Sequence, residues 1–150
     1  MMGSRFVATG SQNVASPTDT VLTVVGAATT RGWVYFFGLS SSATPADNAV
    51  EWIVQRSTAS GTNTAVVPAP LDLAEAVALC VAGENHTVEP TFTAATEMFD
   101  NSVNQRMTFQ FNANPDGELV MPATASAGFG WQPVHASFTG LVEVTVHWFE

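Results

Sequence analysis

The chain has 150 residues, of which 46% are hydrophobic and only 11% charged, and its formal net charge is −9. This length favours a single domain with a hydrophobic core of its own. The four basic residues are scattered, which argues against binding to nucleic acids or to an anionic membrane surface, because both require a basic patch. They are Arg5, Arg31, Arg56 and Arg106.

The low charged fraction means that Ser, Thr, Asn and Gln must supply most of the surface polarity. Short polar side chains lose little rotamer entropy when a partner holds them, so this composition favours large static interfaces. The alternative is an ordinary β-domain with a Thr-rich exterior. The single cysteine, Cys80, excludes an internal disulfide and is expected to be a buried hydrophobe. We find no signal-peptide pattern and no apolar run of transmembrane length, and we expect folding in a cytoplasm.

The first half of the chain alternates between polar and apolar residues in the way that β-strands do. The run RGWVYFFGL at Arg31–Leu39 is the most apolar and suits a strand that is buried on both faces or against a neighbouring subunit. The predicted strands of this half are Arg5–Thr9, Thr20–Val25, Arg31–Leu39, Ala49–Ser57 and Thr64–Val67.

One segment, Leu71–Val81, has the pattern of a short helix. Asp72 can cap it, Glu75 three residues later completes a capping box, and Gly83 suits a left-handed stop. Three apolar residues at helical spacing are expected to face the sheet: Leu73, Val77 and Cys80.

The second half returns to strand patterns. Asn114-Pro115-Asp116-Gly117 has the residues of a tight turn and predicts a hairpin between Asn104–Ala113 and Glu118–Met121. The other predicted strands are Thr87–Met98, Gly128–Trp131 and Leu141–Phe149.

The stretch Gly117–Glu150 is the most informative, because it alternates like a sheet and ends in a strand with a clear inner face. Four side chains are expected to point inward: Val142, Val144, Val146 and Trp148. Eight to ten short strands at this spacing predict an all-β fold. We expect a two-sheet, jelly-roll-like β-sandwich with one short helix near residues 71–81, in a single domain spanning residues 1–150. Residues 1–12 could form an extended arm.

Catalytic and metal sites have weak support in the sequence. The three histidines, His86, His135 and His147, are not at metal-ligand spacing. Glu84 and Glu89 flank His86 and resemble an acid/base cluster, but loop residues that bind the backbone explain them better. No nucleophile elbow and no phosphate-binding glycine loop is present. We therefore predict a protein that is not an enzyme and needs no cofactor or metal.

The aromatic residues supply the candidates for an interface. Trp131 lies in a glycine-flanked stretch, where a large ring has little local core to enter, so Trp131 or Phe129 could anchor a partner. The alternative is that these rings plug the core. Trp33 and Phe36 in the apolar run are the other two interface candidates.

Three segments together resemble a known family: PADNAVEWIVQRSTA (Pro45–Ala59), AGENHTVEPT (Ala82–Thr91) and GELVMPATA…QPVHASFTGLVEVTVHWFE (Gly117–Glu150). They resemble small proteins that are encoded among the head genes of tailed bacteriophages and act as capsid decoration, or cement, proteins. The resemblance implies a β-sandwich that binds the major capsid protein on the outside of a phage head, usually as a homotrimer. It carries over no functional residues.

Two other classes remain open. A carbohydrate-binding β-sandwich of a phage fibre or spike would be supported by an exposed row of Trp side chains. An enzyme on a jelly-roll scaffold would be supported by a pocket in which histidines and carboxylates converge.

Overall fold

The fold is described from a computed structural model of the chain, which describes residues 3–16, 19–42, 44–134 and 139–150. This part of the chain contains twelve β-strands and no helix. The strands are β1 (Arg5–Val14), β2 (Leu22–Val25), β3 (Gly32–Ser41), β4 (Ala49–Ala59), β5 (Thr62–Val66), β6 (Ala69–Pro70), β7 (Val81–Val88), β8 (Thr91–Asn104), β9 (Phe109–Asn112), β10 (Leu119–Met121), β11 (Gly128–Val134) and β12 (Gly140–Phe149).

The strands form two antiparallel sheets that pack face to face, which confirms the predicted β-sandwich. Sheet A has the order β10-β3-β12-β1-β6, and β9 also pairs with β3. Sheet B has the order β5-β7-β2-β11-β4-β8. Both inner faces are apolar, so packing one against the other removes them from water.

The pairing is nested in the manner of a jelly roll. The first strand pairs with the last, β2 pairs with β11, β3 with β10, and β4 with β8. The chain is therefore one long hairpin that rolls up into two sheets. The strands β5, β6 and β7 are an insertion between β4 and β8, and β7 extends sheet B beside β2.

The last strand has the inner face that its sequence predicts. Val142, Val144, Val146 and Trp148 are fully buried, whereas Glu143 between them is exposed. The strand lies between β1 and β3 in sheet A, so every second side chain enters the core. Alternation alone was sufficient to predict β12, because the side chains on one of its faces enter the core and those on the other face lie on the outer side of sheet A.

The helix predicted at Leu71–Val81 is wrong. Residues 71–80 form bends and turns, and Val81 begins β7. Asp72 does accept a hydrogen bond from the Ala74 amide (2.9 Å), but the Glu75 carboxylate binds the Ser4 hydroxyl instead of closing the capping box. A helix of this length is marginal without tertiary packing, and bonds to the sheet hold the segment in another conformation.

The hairpin predicted around Asn114–Gly117 is also wrong, although the turn itself forms. The Gly117 amide donates to the Asn114 carbonyl (2.8 Å), and Asp116 has a φ of 67°. However, β9 and β10 do not pair with each other, because both pair with β3 at successive positions. The turn therefore carries the chain along one side of β3.

The extended arm predicted for residues 1–12 does not form over the part that the structure describes. Residues 5–12 belong to β1 and pair with β12 along its length. The Ser4 amide donates to the Glu150 carbonyl, and the Glu150 amide donates to the Ser4 carbonyl. Residues 1 and 2 of the predicted arm lie outside the described residues.

Candidate interaction surface

The two glycine-flanked interface candidates, Phe129 and Trp131, lie in the core rather than on the surface. Both are fully buried in β11, which runs between β2 and β4 in sheet B. The ring centroid of Trp131 is 6.0 Å from that of Phe37 in the opposite sheet, and the Arg56 guanidinium covers the Phe129 ring at 5.1 Å. Neither side chain can anchor a partner in this structure.

The glycines of β11 have a packing role that explains why this stretch resembles a turn in the sequence. A side chain at Gly128 would come within 2.2 Å of the Val24 carbonyl oxygen. A side chain at Gly130 would come within 2.7 Å of the Phe92 ring. Glycine inside a strand often marks such a close approach. Here Gly128 permits the backbone of β2 to come close, and Gly130 permits the Phe92 ring to pack on β11.

The other two candidates, Trp33 and Phe36, lie on the outer face of sheet A. The Trp33 ring stacks on Phe149 of β12 at 5.2 Å between centroids, with 8° between the planes. The Phe36 ring lies 4.8 Å from His147, and Tyr35 contacts the rings of both His147 and Phe149. We call these five residues the outer aromatic cluster: Trp33, Tyr35, Phe36, His147 and Phe149.

The outer aromatic cluster forms a largely uncharged plate on the solvent side of sheet A. Each of its rings is half-buried, because its neighbours cover part of it. Burial lowers the pKa of His147, which favours the neutral ring among these aromatic groups. Cross-strand aromatic pairs stabilise a sheet, and the same plate offers flat apolar area to a partner.

A second apolar surface lies on the part of the chain that runs from the end of β5, through β6, to the first residue of β7. We call residues 67–81 the apolar segment. Its side chains are unusually exposed for their type, with Leu73 98% exposed, Val67 83% and Val77 81%. The exposed apolar residues of the segment are Val67, Leu71, Leu73, Val77, Leu79 and Val81.

Hydrogen bonds at both ends fasten the apolar segment to sheet A. The Leu71 amide donates to the Arg5 carbonyl of β1 (2.8 Å). The amides of Leu79 and Cys80 each donate to a carboxylate oxygen of Glu150 (both 3.0 Å). The segment therefore has a defined conformation although its apolar side chains face solvent.

Cys80 is the part of the segment that does enter the core. Its side chain is fully buried, as the sequence predicts. Burial raises the pKa of the Cys80 thiol to about 12, and the neighbouring Glu150 carboxylate contributes to this rise. The thiol is therefore protonated at neutral pH and poorly nucleophilic.

The group around His86 is a set of ties between strands. The His86 Nδ1 lies 3.0 Å from the Thr20 carbonyl oxygen, and because a carbonyl only accepts, Nδ1 is the protonated nitrogen. Glu89 accepts from the Thr20 amide (3.0 Å), and Glu84 accepts from the Ser11 amide (2.8 Å). Burial lowers the pKa of His86. The predicted bonds to the backbone therefore form, but the predicted loop is wrong, because Glu84 and His86 lie in the inserted strand β7. The bonds connect this part of the chain to the rest of the sandwich.

No group of three or more His, Cys, Asp or Glu side chains that could hold a metal ion occurs among the residues that the structure describes. Of the histidines considered as ligands, His135 lies outside them. No helix within the described ranges is long and apolar enough to cross a membrane. Comparison of the chain with known protein families, curated proteins and solved structures gives no match.

Sequence reasoning missed both surfaces in part. It placed Leu73 and Val77 on the inner side of a helix, and it did not include Tyr35, His147 and Phe149 among the interface candidates. The cluster had a signal in the sequence, since His147 lies on the outward face of the last strand, where the aromatic run of β3 could pair with it. The apolar segment had no such signal in the sequence, because its conformation depends on residues that are distant in the chain and bind it.

Proposed function

We propose that this protein is a capsid decoration, or cement, protein that binds the outer surface of a tailed-phage head and stabilises it. The observation that carries the proposal is the apolar segment, whose exposed Leu and Val side chains are held in place on a sandwich with a complete core. Exposed apolar surface of this kind marks sites of protein contact. The partner is the major capsid protein, and the protein is made in the host cytoplasm and resides on the exterior of the virion.

Two further features support the proposal. Segments spread over about two-thirds of the chain resemble the decoration proteins of tailed phages, as described above. The jelly roll is a rigid architecture used by viral capsid domains, although it also serves lectins and cupins, so the fold alone does not decide function. The proposed role needs neither catalysis nor a cofactor.

The proposal includes a homotrimer, with the outer aromatic cluster as the contact between copies. Trp33 and Phe36 belong to this cluster, and it offers flat apolar area to a neighbour. The accessible surface is 7570 Å², close to the roughly 7300 Å² expected for a compact monomer of this mass. The single chain is therefore as compact as a monomeric protein of its mass, and we propose that trimers form on docking. Native mass spectrometry in solution, and a count of copies per capsid, would test this; a monomer in both settings would refute the trimer.

The experiment that tests the function uses purified protein and heads that lack it. Binding is measured by co-sedimentation, and stability by the temperature at which the heads release their genome. The proposal predicts saturable binding and a higher release temperature, whereas an unrelated acidic β-sandwich protein should have neither effect. Failure to bind any head surface would refute the proposal.

Carbohydrate binding by a fibre or spike domain is the second candidate. The outer aromatic cluster favours it, since a planar aromatic surface such as Trp33 on Phe149 can stack against a sugar ring. The other three tryptophans, Trp52, Trp131 and Trp148, are buried, so the described structure has no row of exposed Trp. A glycan array with the wild-type protein and Trp33→Ala distinguishes the two functions: loss of a glycan signal in the variant would favour the second.

A further inference from the structure

We propose that the apolar segment is the docking surface for another protein, whose contact area is apolar at its centre and rich in Lys and Arg at its rim. We infer further that this segment is not the contact between copies of the chain. The inference rests on the proposed function, because it assigns to the decoration protein the surface that meets the shell and the chemistry of the shell surface that receives it.

Most of the exposed large apolar side chains lie in the apolar segment. Six of the nine large apolar side chains that the structure describes as exposed lie within residues 67–81. The remaining three, Val88, Met98 and Met107, lie apart from it in the sequence. Single exposed apolar residues need no explanation, but a concentration of this kind on a chain with a complete core requires a partner.

The segment is also prepared for binding. Bonds from Leu71 to β1 and from Leu79 and Cys80 to Glu150 fix its two ends, and the Ser4 hydroxyl binds Glu75 in the middle. A surface that is already ordered loses less conformational entropy when it docks than a loose loop does. This order distinguishes the segment from a frayed loop that happens to contain Leu and Val.

A cleft of about 380 Å³ opens between the apolar segment and sheet A. Phe6, Val77, Leu79 and Glu150 are among the residues that line it. Interface anchors are commonly side chains that enter such clefts. Because Val77 lines the cleft and is itself 81% exposed, the surface has both a projecting side chain and a cleft that can receive one.

Charge decides between the possible occupants. The segment carries two charged side chains, Asp72 and Glu75, and both are acidic. Arg5 lies beside them and the Glu150 carboxylate lines the cleft, so three carboxylates and one guanidinium give this surface a net charge of −2. If two copies met through the same segment, four carboxylates would come together on two chains that each have a net charge of −9. Like charges that face each other disfavour a complex, whereas a basic rim on the partner would pair with them and speed association. The charge therefore favours a basic, non-identical partner.

The test uses undecorated heads and three variants of the full chain. Leu73→Ser/Val77→Ser removes two of the three most exposed apolar groups of the segment, and Val88→Ser/Met107→Ser is the matched control elsewhere on the surface. Asp72→Asn/Glu75→Gln removes the charges but keeps the hydrogen-bond acceptors. We expect the segment variant to weaken binding by about tenfold or more, with an unchanged oligomeric mass by native mass spectrometry. We expect the control to bind as the wild type does.

The charge variant should bind more weakly at low salt, and its affinity should depend less on salt than that of the wild type. If the segment variant binds heads as tightly as the wild type, this inference fails and the proposed function stands. If it lowers the oligomeric mass, the segment is a contact between copies and the inference is overturned. If wild-type protein does not bind heads at all, the proposed function and the inference both fail.

Discussion

The inner face of β12 makes a sharp prediction about stability. Val144 is fully buried, and its neighbour Glu143 is exposed on the other side of the same strand. The substitution Val144→Ala removes two methyl groups from the core, worth about 0.8 kcal/mol each, and leaves a small cavity besides. We therefore expect the free energy of unfolding to fall by about 2 kcal/mol. The matched change Glu143→Ala should alter it by less than about 0.5 kcal/mol.

The assay is urea unfolding followed by tryptophan fluorescence, which suits a chain with three buried tryptophans. For a domain of this size, about 2 kcal/mol corresponds to a fall of about 4–8 °C in Tm. Equal effects of the two substitutions, or a larger effect of Glu143→Ala, would refute the assignment of the inner face. The rest of the packing argument depends on the same alternation, so it would fail as well.

Three further predictions concern single features. Gly61→Ala should lower the free energy of unfolding by at least about 2 kcal/mol, because Gly61 has a φ of 69° and a Cβ there would lie 2.1 Å from the Val88 carbonyl oxygen. Gly117→Ala should lower it by less in the same unfolding assay, because Gly117 has no positive φ. Burial lowers the pKa of both His86 and His147, so below their ordinary value of about 6.5 the unfolded chain binds protons that the folded chain does not. The contribution of the two neutral histidines to stability is thus present at pH 7.5 and lost as the pH falls towards 5. The Tm of a His147→Gln variant should fall less over this range than that of the wild type. An equal fall in Tm would contradict the burial of His147 as a neutral ring. A metal chelator should leave Tm unchanged, and a fall of several degrees would reveal a metal site.

The sequence predicts well those elements that local patterns control. The alternation of Val142, Val144, Val146 and Trp148 defines a half-buried strand whatever its neighbours are, and the structure confirms it. The turn at Asn114–Gly117 depends only on its own residues and also forms. The order of strong alternating segments was enough to predict a two-sheet sandwich.

The predictions fail where residues that are distant in the chain determine the local conformation. Residues 71–80 have helical propensity, but Ser4 and Glu150, about 70 residues away in the chain, hold the segment open. Gly128 and Gly130 resemble a turn, but they permit close strand contacts that only the folded sheet reveals. No local pattern contains this information.

The most direct measurement of the central claim is an electron cryomicroscopy reconstruction of undecorated phage heads incubated with the purified protein. The proposed function predicts added β-sandwich density on the outer surface of the shell, and the proposed docking surface predicts that residues 67–81 face the major capsid protein in that density. Added density in which this segment faces solvent or a second copy would contradict the docking surface. Heads without any added density at saturating protein would contradict the proposed function itself.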